Sequence, residues 1–415
     1  MSFRAAGGSP VATPISDEEP PVRVMMVTRE TGPDRRYGLG RSLMPVVEAM
    51  QARGIAVRYL CQDDITPGQL QYREDMIRRF SRWPGLRMRA DWMAIVRAWV
   101  ERLQVGVTAA RIARDEHYTH VHAHDPWLAL GVWFGLIGSG KQVRWGVTEH
   151  GFGSYSMATH QDGLTQGPWM QRLMRRIETT VLSHAHWVIA PTKACLVELA
   201  RDLCVGAPPA HWHAVPHAKP AVGLTSDDSR SQARAQLGWQ ADEFVVLGVG
   251  RLVPLKCFDR VIEACAEVVR EVPALRVVLL GGGDPAELKA VAARCGMDER
   301  VEFAFVDEVT PYLHAADIYV SASSTESFGL ANLEALCAGL TSICSPVGGV
   351  AEVVGDGAWL VPNDTAALAK SIAALARDPS LRHDWARRAA GRSGSWPAAE
   401  EITQRYVEIY QAPRA

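Results

Sequence analysis

Several common signatures are missing from this 415-residue sequence, and each absence removes a class of answer. The eight cysteines stand singly at 61, 195, 204, 257, 265, 295, 337 and 344, with no Cys-x-x-Cys pair. A zinc ribbon or a thioredoxin-type dithiol is therefore excluded, and the thiols read as reduced core filler. No segment reaches the about 18–20 apolar residues of a membrane span. The best candidate, Trp127 to Gly138, is too short and is interrupted by Gly131, Gly135 and Gly138. Residues 1–21 are rich in Ala, Gly, Ser and Pro and lack an apolar leader core, so a disordered tail is expected there and a cytoplasmic location for the chain. Charge of one sign is missing too: 44 Lys+Arg face 46 Asp+Glu, a formal net charge of −2. That balance, with no matching motif, argues against a nucleic-acid partner.

What is present is ordinary globular composition, 47% hydrophobic and 22% charged, in a chain long enough for two or three domains. The run Val22 to Thr28 has the length and apolarity of a strand. A glycine-containing loop, a helical pattern from about Leu39 to Arg53 and a second strand at 55–60 follow. The alternation continues through His120 to His122, Gln142 to Thr148 and Trp187 to Ala190. It breaks at 216–231, where Pro216, Pro220, Gly223 and a Ser/Asp run give linker composition. It restarts with strand-like runs at 244–249, 276–280, 301–304, 318–321 and 341–344. Strand–helix alternation of this kind predicts parallel sheets covered by helices on both faces. The expected organisation is α/β: two doubly wound Rossmann-like domains, 22–215 and 232–396, joined by the 216–231 linker. A final helix at 397–411 has no following strand to cover and is expected to cross back to the first domain.

Ligands in such sheets bind at the carboxyl ends of strands, so the loops there carry the candidate chemistry. Gly38 and Gly40 open a helix after the first strand and would let backbone approach an anion at its N-terminus. The run is not the dinucleotide fingerprint, because Leu43 stands where a third glycine belongs, and a nicotinamide dehydrogenase is disfavoured. After the strand opening the second domain, Gly248-Val-Gly-Arg-Leu-Val-Pro-Leu-Lys256 offers a bidentate guanidinium at Arg251 and a mobile ammonium at Lys256. Together they suit a diphosphate, or serve as two solvated cations. After the strand at 318–321 comes Ser323-Ser-Thr-Glu-Ser-Phe-Gly-Leu-Ala-Asn-Leu-Glu334. Glu326 lies in the loop and Glu334 eight positions on, inside the helix; Phe328, Gly329 and Leu330 supply helix-start amides. Amides suit phosphate and carboxylates suit sugar hydroxyls; helix capping by acids is the plainer alternative.

Taken together, Glu326-x7-Glu334 with Phe328-Gly329-Leu330, the 248–256 run, Gly281-Gly-Gly-Asp284 and Pro346-Val-Gly-Gly-Val-Ala-Glu-Val-Val-Gly-Asp-Gly357 resemble the retaining glycosyltransferases of GT-B fold, family 4 (glycosyl transferases group 1). In the first half, Val121-His-Ala-His-Asp125, Thr148-Glu-His-Gly151 and Ala190-Pro-Thr-Lys193 match as well. The sequence departs from the family at Cys257, where Gly usually follows the Lys, at Pro216-His217-Ala218 in place of Pro-Asn-Gly, and at Ala304.

The resemblance implies a hexosyltransferase-type enzyme moving a sugar, with retention, from a nucleotide diphosphate to a glycan, glycolipid or other hydroxyl acceptor in cell-surface polysaccharide or glycolipid assembly. Its catalytic set would be His150, Glu326, Arg251 and Lys256; Gly38, Gly40, Phe328, Gly329, Leu330 and Glu334 would bind the donor. Glu334 would hold ribose hydroxyls, Glu326 the sugar hydroxyls, and His150 would position the sugar. UDP is the default nucleotide. With no Asp-x-Asp in the chain, cations and helix amides are expected to replace a metal, so no cofactor and no metal site are expected. Histidines 117, 120, 122 and 124 invite a metal reading, but 122 and 124 fall where the family carries histidines without one.

Residues 71–110 interleave Arg73, Arg78, Arg79, Arg82, Arg87, Arg89, Arg97 and Arg102 with Phe80, Trp83, Trp92 and Trp99. Such a segment suits peripheral contact with an anionic membrane face and a lipid-linked acceptor. It equally suits a solvated helix face with Trp packed inward. Two other functions stay open at this level: a sugar-nucleotide epimerase or hydrolase on the same scaffold, and a non-catalytic sugar-nucleotide-binding protein.

Overall fold

The computed structural model describes residues 21–30, 38–82, 90–138, 143–161 and 167–413. The expected tail therefore lies, but for Pro21, outside the described residues, as do Trp83, Arg87 and Arg89 and most of the loop before Gly38.

The first sheet contains β1 (Arg23–Val27), β2 (Ala56–Leu60), β3 (His120–Ala123), β4 (Arg144–Thr148), β5 (Val188–Ala190) and β6 (Trp212–Ala214), in the order β2-β1-β3-β4-β5-β6. The second contains β7 (Phe244–Val249), β8 (Leu275–Leu280), β9 (Val301–Ala304), β10 (Ile318–Ser321), β11 (Ser342–Cys344) and β12 (Trp359–Leu360), in the order β12-β11-β10-β7-β8-β9. All pairings are parallel. Both faces of each sheet are buried, which explains the continuous apolar runs. Along β1, Met25 and Val27 enter one core cluster while Val24 and Met26 enter another on the opposite face.

The strand order reverses between β1 and β3 in one sheet and between β7 and β10 in the other. Crevices at such reversals are where doubly wound sheets place ligands. They lie beside the loops holding Gly38–Gly40, His124–Asp125, Arg251–Lys256 and Glu326–Leu330.

Within 216–231 a helix, Asp227–Leu237, already begins. The polar Ser/Asp run is its cap: Ser226 and Ser229 form a reciprocal box, and Asp227 and Asp228 sit in the first turn where the helix dipole favours acids. The last helix, Ala399–Gln411, lies against the first sheet. Ile402, Tyr406 and Tyr410 are buried with Val24, Met26, Val47, Trp187 and Ile189. Trp396, just before it, donates its indole N–H to the His217 carbonyl at 2.9 Å, and Pro397 accepts from the Lys219 amide. The chain thus returns to the first domain, as expected. Among the described residues, no helix is long and apolar enough to cross a membrane.

Candidate active site

The loops after β7, β10 and β11 are locked together by backbone. The Ser324 amide donates to the Leu255 carbonyl at 2.9 Å, and the Gly349 amide to the Glu326 carbonyl at 3.0 Å. Gly348 has φ +55°, and a Cβ on it would stand 2.0 Å from the Glu326 carbonyl oxygen; one on Gly349 would stand 2.1 Å from that of Ser327. Only glycine permits this approach. Gly329 is left-handed (φ 79°) and starts the helix Leu330–Cys337, whose first N–H groups have no acceptor within the helix. Phe328 is buried under this turn. Cys257, at the usual glycine position, is itself left-handed (φ 47°), which accounts for the family's preference there.

On this frame Lys256 donates to Glu326 in an ion pair. Arg251 is exposed and makes no side-chain hydrogen bond or ion pair among the described residues; the backbone next to it is fixed by the bond from the Leu252 amide to the Gly282 carbonyl, 2.8 Å. Glu334, 3% exposed, takes an ion pair from Arg41 of the first domain. Burial pushes its carboxyl up to about 7, against the pull of the Arg41 guanidinium. Its second oxygen, Oε2, is buried with no partner among the described residues. Arg41 lies in the first turn of helix Gly38–Ala52, so the Gly38–Gly40 end of that helix faces the second domain.

From the first domain, His150 follows β4. Its Nε2 lies 3.0 Å from Nδ1 of His124, and the two rings stack at 5.3 Å. The other nitrogen of His124 lies 3.5 Å from the Met26 sulfur. A thioether can only accept, which assigns the proton on that side to His124 and makes His150 Nε2–H the donor to His124. The remaining nitrogen of His150, Nδ1, is then an acceptor. Burial, with His124 and His217 adding, holds His150 well below the ordinary imidazole range, so it is neutral. His217 stacks on His150 (5.9 Å, 11°) and sets its ring edge-on to Phe328 of the second domain (4.6 Å).

The domains also touch at Ser327, whose carbonyl accepts from Thr192 Oγ1 (3.2 Å) and Cys195 Sγ (3.1 Å). At Glu352, the carboxylate accepts from the amides of Lys193 and Ala194. His150, Glu326, Lys256, Glu334, Phe328, Gly329 and Leu330 thus gather around one interdomain seam; Arg251 sits on the same loop as Lys256 without joining a side-chain contact. No donor-site role was expected of Arg41, His217 or Glu149, and His124 figured only among the histidines that invite a metal reading. Arg41 stands one residue after Gly40, and Glu149 one before His150. Glu149 is buried with Oε1 unpartnered among the described residues, its carboxyl held well above the usual range by burial and by Glu178 and Asp125.

His122 is engaged on both nitrogens, 2.7 Å from the Tyr410 hydroxyl and 2.6 Å from Thr148 Oγ1. His120 lies between Thr119 Oγ1 and the Tyr410 carbonyl. These rings are structural. Within the basic stretch Arg97 pairs with Glu74 and Arg78 with Asp75, while Arg102 pairs outside it with Asp125.

Two family models match the chain: Glycosyl transferase 4-like domain over residues 37–218 and Glycosyl transferases group 1 over 229–392. A D-inositol 3-phosphate glycosyltransferase of Kineococcus radiotolerans is 33% identical over 326 residues, covering 72% of each chain. That of Streptomyces scabiei is 31% identical over 328 residues, 72% of this chain and 69% of its own. Among solved structures, sucrose-phosphate synthase from Thermosynechococcus elongatus aligns with TM-score 0.71 at 20% identity, covering 94% of this chain and 98% of that one. Anabaena HepE in complex with UDP-glucose aligns with TM-score 0.66 at 17% identity, covering 93% and 98%.

Proposed function

The chain belongs to the glycosyl transferases group 1 family, GT4, with the GT-B fold, and from that premise we propose that it transfers a sugar, with retention, from a UDP-sugar to a hydroxyl acceptor without a metal. The observation that carries this reading is the seam itself. A neutral histidine of one domain, joined through the His217 ring to Phe328, lies along the seam at which the other domain presents two carboxylates, an ammonium and a run of helix-start amides.

The leaving group is a nucleoside diphosphate, so the groups that matter stabilise developing negative charge. Lys256, Arg251 and the amides at Gly329 and Leu330 serve the diphosphate. Glu334 accepts from ribose hydroxyls, Glu326 from sugar hydroxyls, and Nδ1 of His150 accepts a further sugar hydroxyl. Lys256 and Glu326 exchange their mutual pair for these ligands. Attack comes from the face the diphosphate leaves: the acceptor oxygen bonds to the anomeric carbon, the bond to the phosphate oxygen breaks, and that oxygen takes the acceptor proton. The acceptor is a glycan or lipid hydroxyl of cell-surface assembly; because the relatives bear the name D-inositol 3-phosphate glycosyltransferase, that polyol phosphate belongs in any acceptor panel.

The test is thermal unfolding with UDP, GDP, ADP and their glucose conjugates, with and without EDTA. A nucleotide at a hundred times its Kd adds about 2.7 kcal/mol. UDP stabilisation that EDTA leaves intact is expected; stabilisation abolished by EDTA overturns metal independence, and none by any nucleotide overturns the reading. Proton NMR of the product's anomeric centre decides retention.

A further inference from the structure

Away from the seam, the first domain carries a cavity of about 440 Å³ between helices Ala90–Asp115, Pro126–Leu136 and Pro168–His184. That size falls in the range of small-ligand sites, about 300–1,000 Å³. Trp99, Trp127, Trp133 and Phe134 line it, with Arg176 the charged residue of the wall. The cavity has a cause. A Cβ on Gly106 would stand 2.2 Å from the Leu128 carbonyl and one on Gly131 2.5 Å from that of Leu103. The first two helices therefore meet backbone to backbone, and their large rings are displaced to the side instead of interlocking.

The charge beside the cavity points to an amphipathic anion. The exposed face of helix Pro168–His184 carries Arg172, Arg175 and Arg176, while its acid, Glu178, is buried and points inward to the Tyr155 and Ser156 amides. Arg176 makes no side-chain hydrogen bond or ion pair among the described residues. The rim adds exposed apolar surface at Phe134 (52%), Ile137 (65%) and Trp169 (55%).

Orientation follows from topology. Helices Pro126–Leu136 and Pro168–His184 both run away from the carboxyl ends of the strands, and Trp133 stacks on His184 at their far end (4.5 Å). Trp127 and Arg172 therefore lie toward the seam and Arg176 midway along its helix, with Asp125 and His124 just before Trp127. Phe134 and Ile137 lie away from it.

We propose that this cavity holds the alkyl or isoprenoid tail of an anionic lipid acceptor. Its headgroup anion sits on Arg172 and Arg176, and its reacting hydroxyl reaches the seam. The proposal rests on the glycosyltransferase reading above and specifies its acceptor.

Calorimetric titration of the full chain with octyl and decyl phosphate, each below its critical micelle concentration, tests it. Inorganic phosphate and octyl glucoside are the controls. Affinity should rise about fourfold per added methylene, hence about fifteenfold from octyl to decyl. The phosphate head should bind tighter than the glucoside, and inorganic phosphate should not saturate the site. Thr180→Trp fills the cavity from its exposed side, and Arg176→Glu inverts the charge; each should weaken decyl phosphate at least tenfold while UDP stabilisation stays at the wild-type value. Equal affinity for the two tails, or undiminished binding by Thr180→Trp, overturns the proposal. So does binding to phosphatidylglycerol vesicles but not to monomeric decyl phosphate, which would make the rim a membrane face. So does a wild-type dimer in sedimentation that Thr180→Trp dissociates, which would make it a contact between copies. Failure of UDP to stabilise the wild type removes the functional reading separately, and the tail-length series still decides the cavity.

Discussion

Replacing Arg41 by Met removes the cation beside the buried Glu334, and the structure limits what that can cost. Stripping one partner from a buried pair ordinarily costs about 3–5 kcal/mol, because a charge is left uncompensated. Glu334 has an escape. Its carboxyl already titrates at about 7, so it discharges by taking up a proton. At pH 8 the wild-type carboxylate lies one unit above that value, and protonation costs about 1.4 kcal/mol, the free energy of one pK unit. The variant's charge penalty cannot exceed that figure. At pH 6 Glu334 is neutral in both proteins and the penalty vanishes. Methionine keeps most of the apolar stem, which limits packing loss. The stability gap between wild type and Arg41→Met, from urea unfolding followed by tryptophan fluorescence, should therefore be small at pH 6. It should open above pH 7 toward about 1.4 kcal/mol at pH 8. In the wild type the raised carboxyl means the folded state binds the proton more tightly than the unfolded one, so this group's contribution falls as pH rises from about 4.5 to about 7. A gap of 3 kcal/mol or more at both pH values would show that Glu334 stays ionised without Arg41 and would refute the reasoning. A gap that stays near zero at both pH values would show that the pair does not form in solution.

Lys256→Ala should lower kcat by about 10²–10³, the loss typical of one donor aimed at developing charge; unchanged turnover would remove Lys256 from the mechanism. Gly348→Ala places a Cβ 2.0 Å from the Glu326 carbonyl oxygen and 3.0 Å from the Phe152 ring at φ +55°. It should destabilise by about 1–3 kcal/mol and abolish UDP-induced stabilisation, so a variant with wild-type UDP response would contradict the locked-loop picture. His122, fully buried, is held down at about 3 by desolvation, below its unfolded value near 6.5, so its contribution to stability is lost as pH falls below 6.5. His122→Gln should be less stable than wild type at pH 7.5, and that gap should shrink by about 2 kcal/mol by pH 5; urea midpoints shifting in parallel would contradict this.

Much of the architecture was legible because parallel strands buried on both faces leave continuous apolar runs. The strands that escaped, β6 and β12, have three and two residues and lie at sheet edges. They exist because a neighbouring strand offers open hydrogen-bonding groups, and so short a run carries no period of its own. The loop chemistry was legible where it is local: Glu326 in a loop with Glu334 eight positions on in the helix that follows, Lys256 beside a strand end, Gly348 and Gly349 where a side chain would collide. It was illegible where it joins distant parts. Arg41 and Glu334 are 293 positions apart, and nothing near either residue announces the other. His217 stood in a junction that reads as a departure from the family, yet its ring bridges His150 and Phe328. In 71–110 the count of arginines was visible, and so was the local spacing of Arg78 and Asp75, but the pairing of Arg97 with Glu74 and of Arg102 with Asp125 depends on how two helices and a loop are set side by side.

The interdomain contacts are of two physical kinds. Ser327 with Thr192 and Cys195, and Glu352 with the amides opening helix Lys193–Asp202, join one domain's polar side chains to the other's backbone. No group in them belongs to the proposed donor set, so their strength does not depend on what the seam holds. Arg41 with Glu334 is different, because Glu334 is the carboxylate assigned to the ribose. Hydroxyls arriving there compete with the guanidinium, while parting the domains breaks the same pair. Glu326 with Lys256 lies wholly within the second domain and travels with it. The Arg41 pair therefore couples donor binding to domain position, and the Lys256 pair does not. Since Glu334 titrates near neutrality, the coupling is itself set by pH: weak where the carboxyl is protonated and strong where it is ionised.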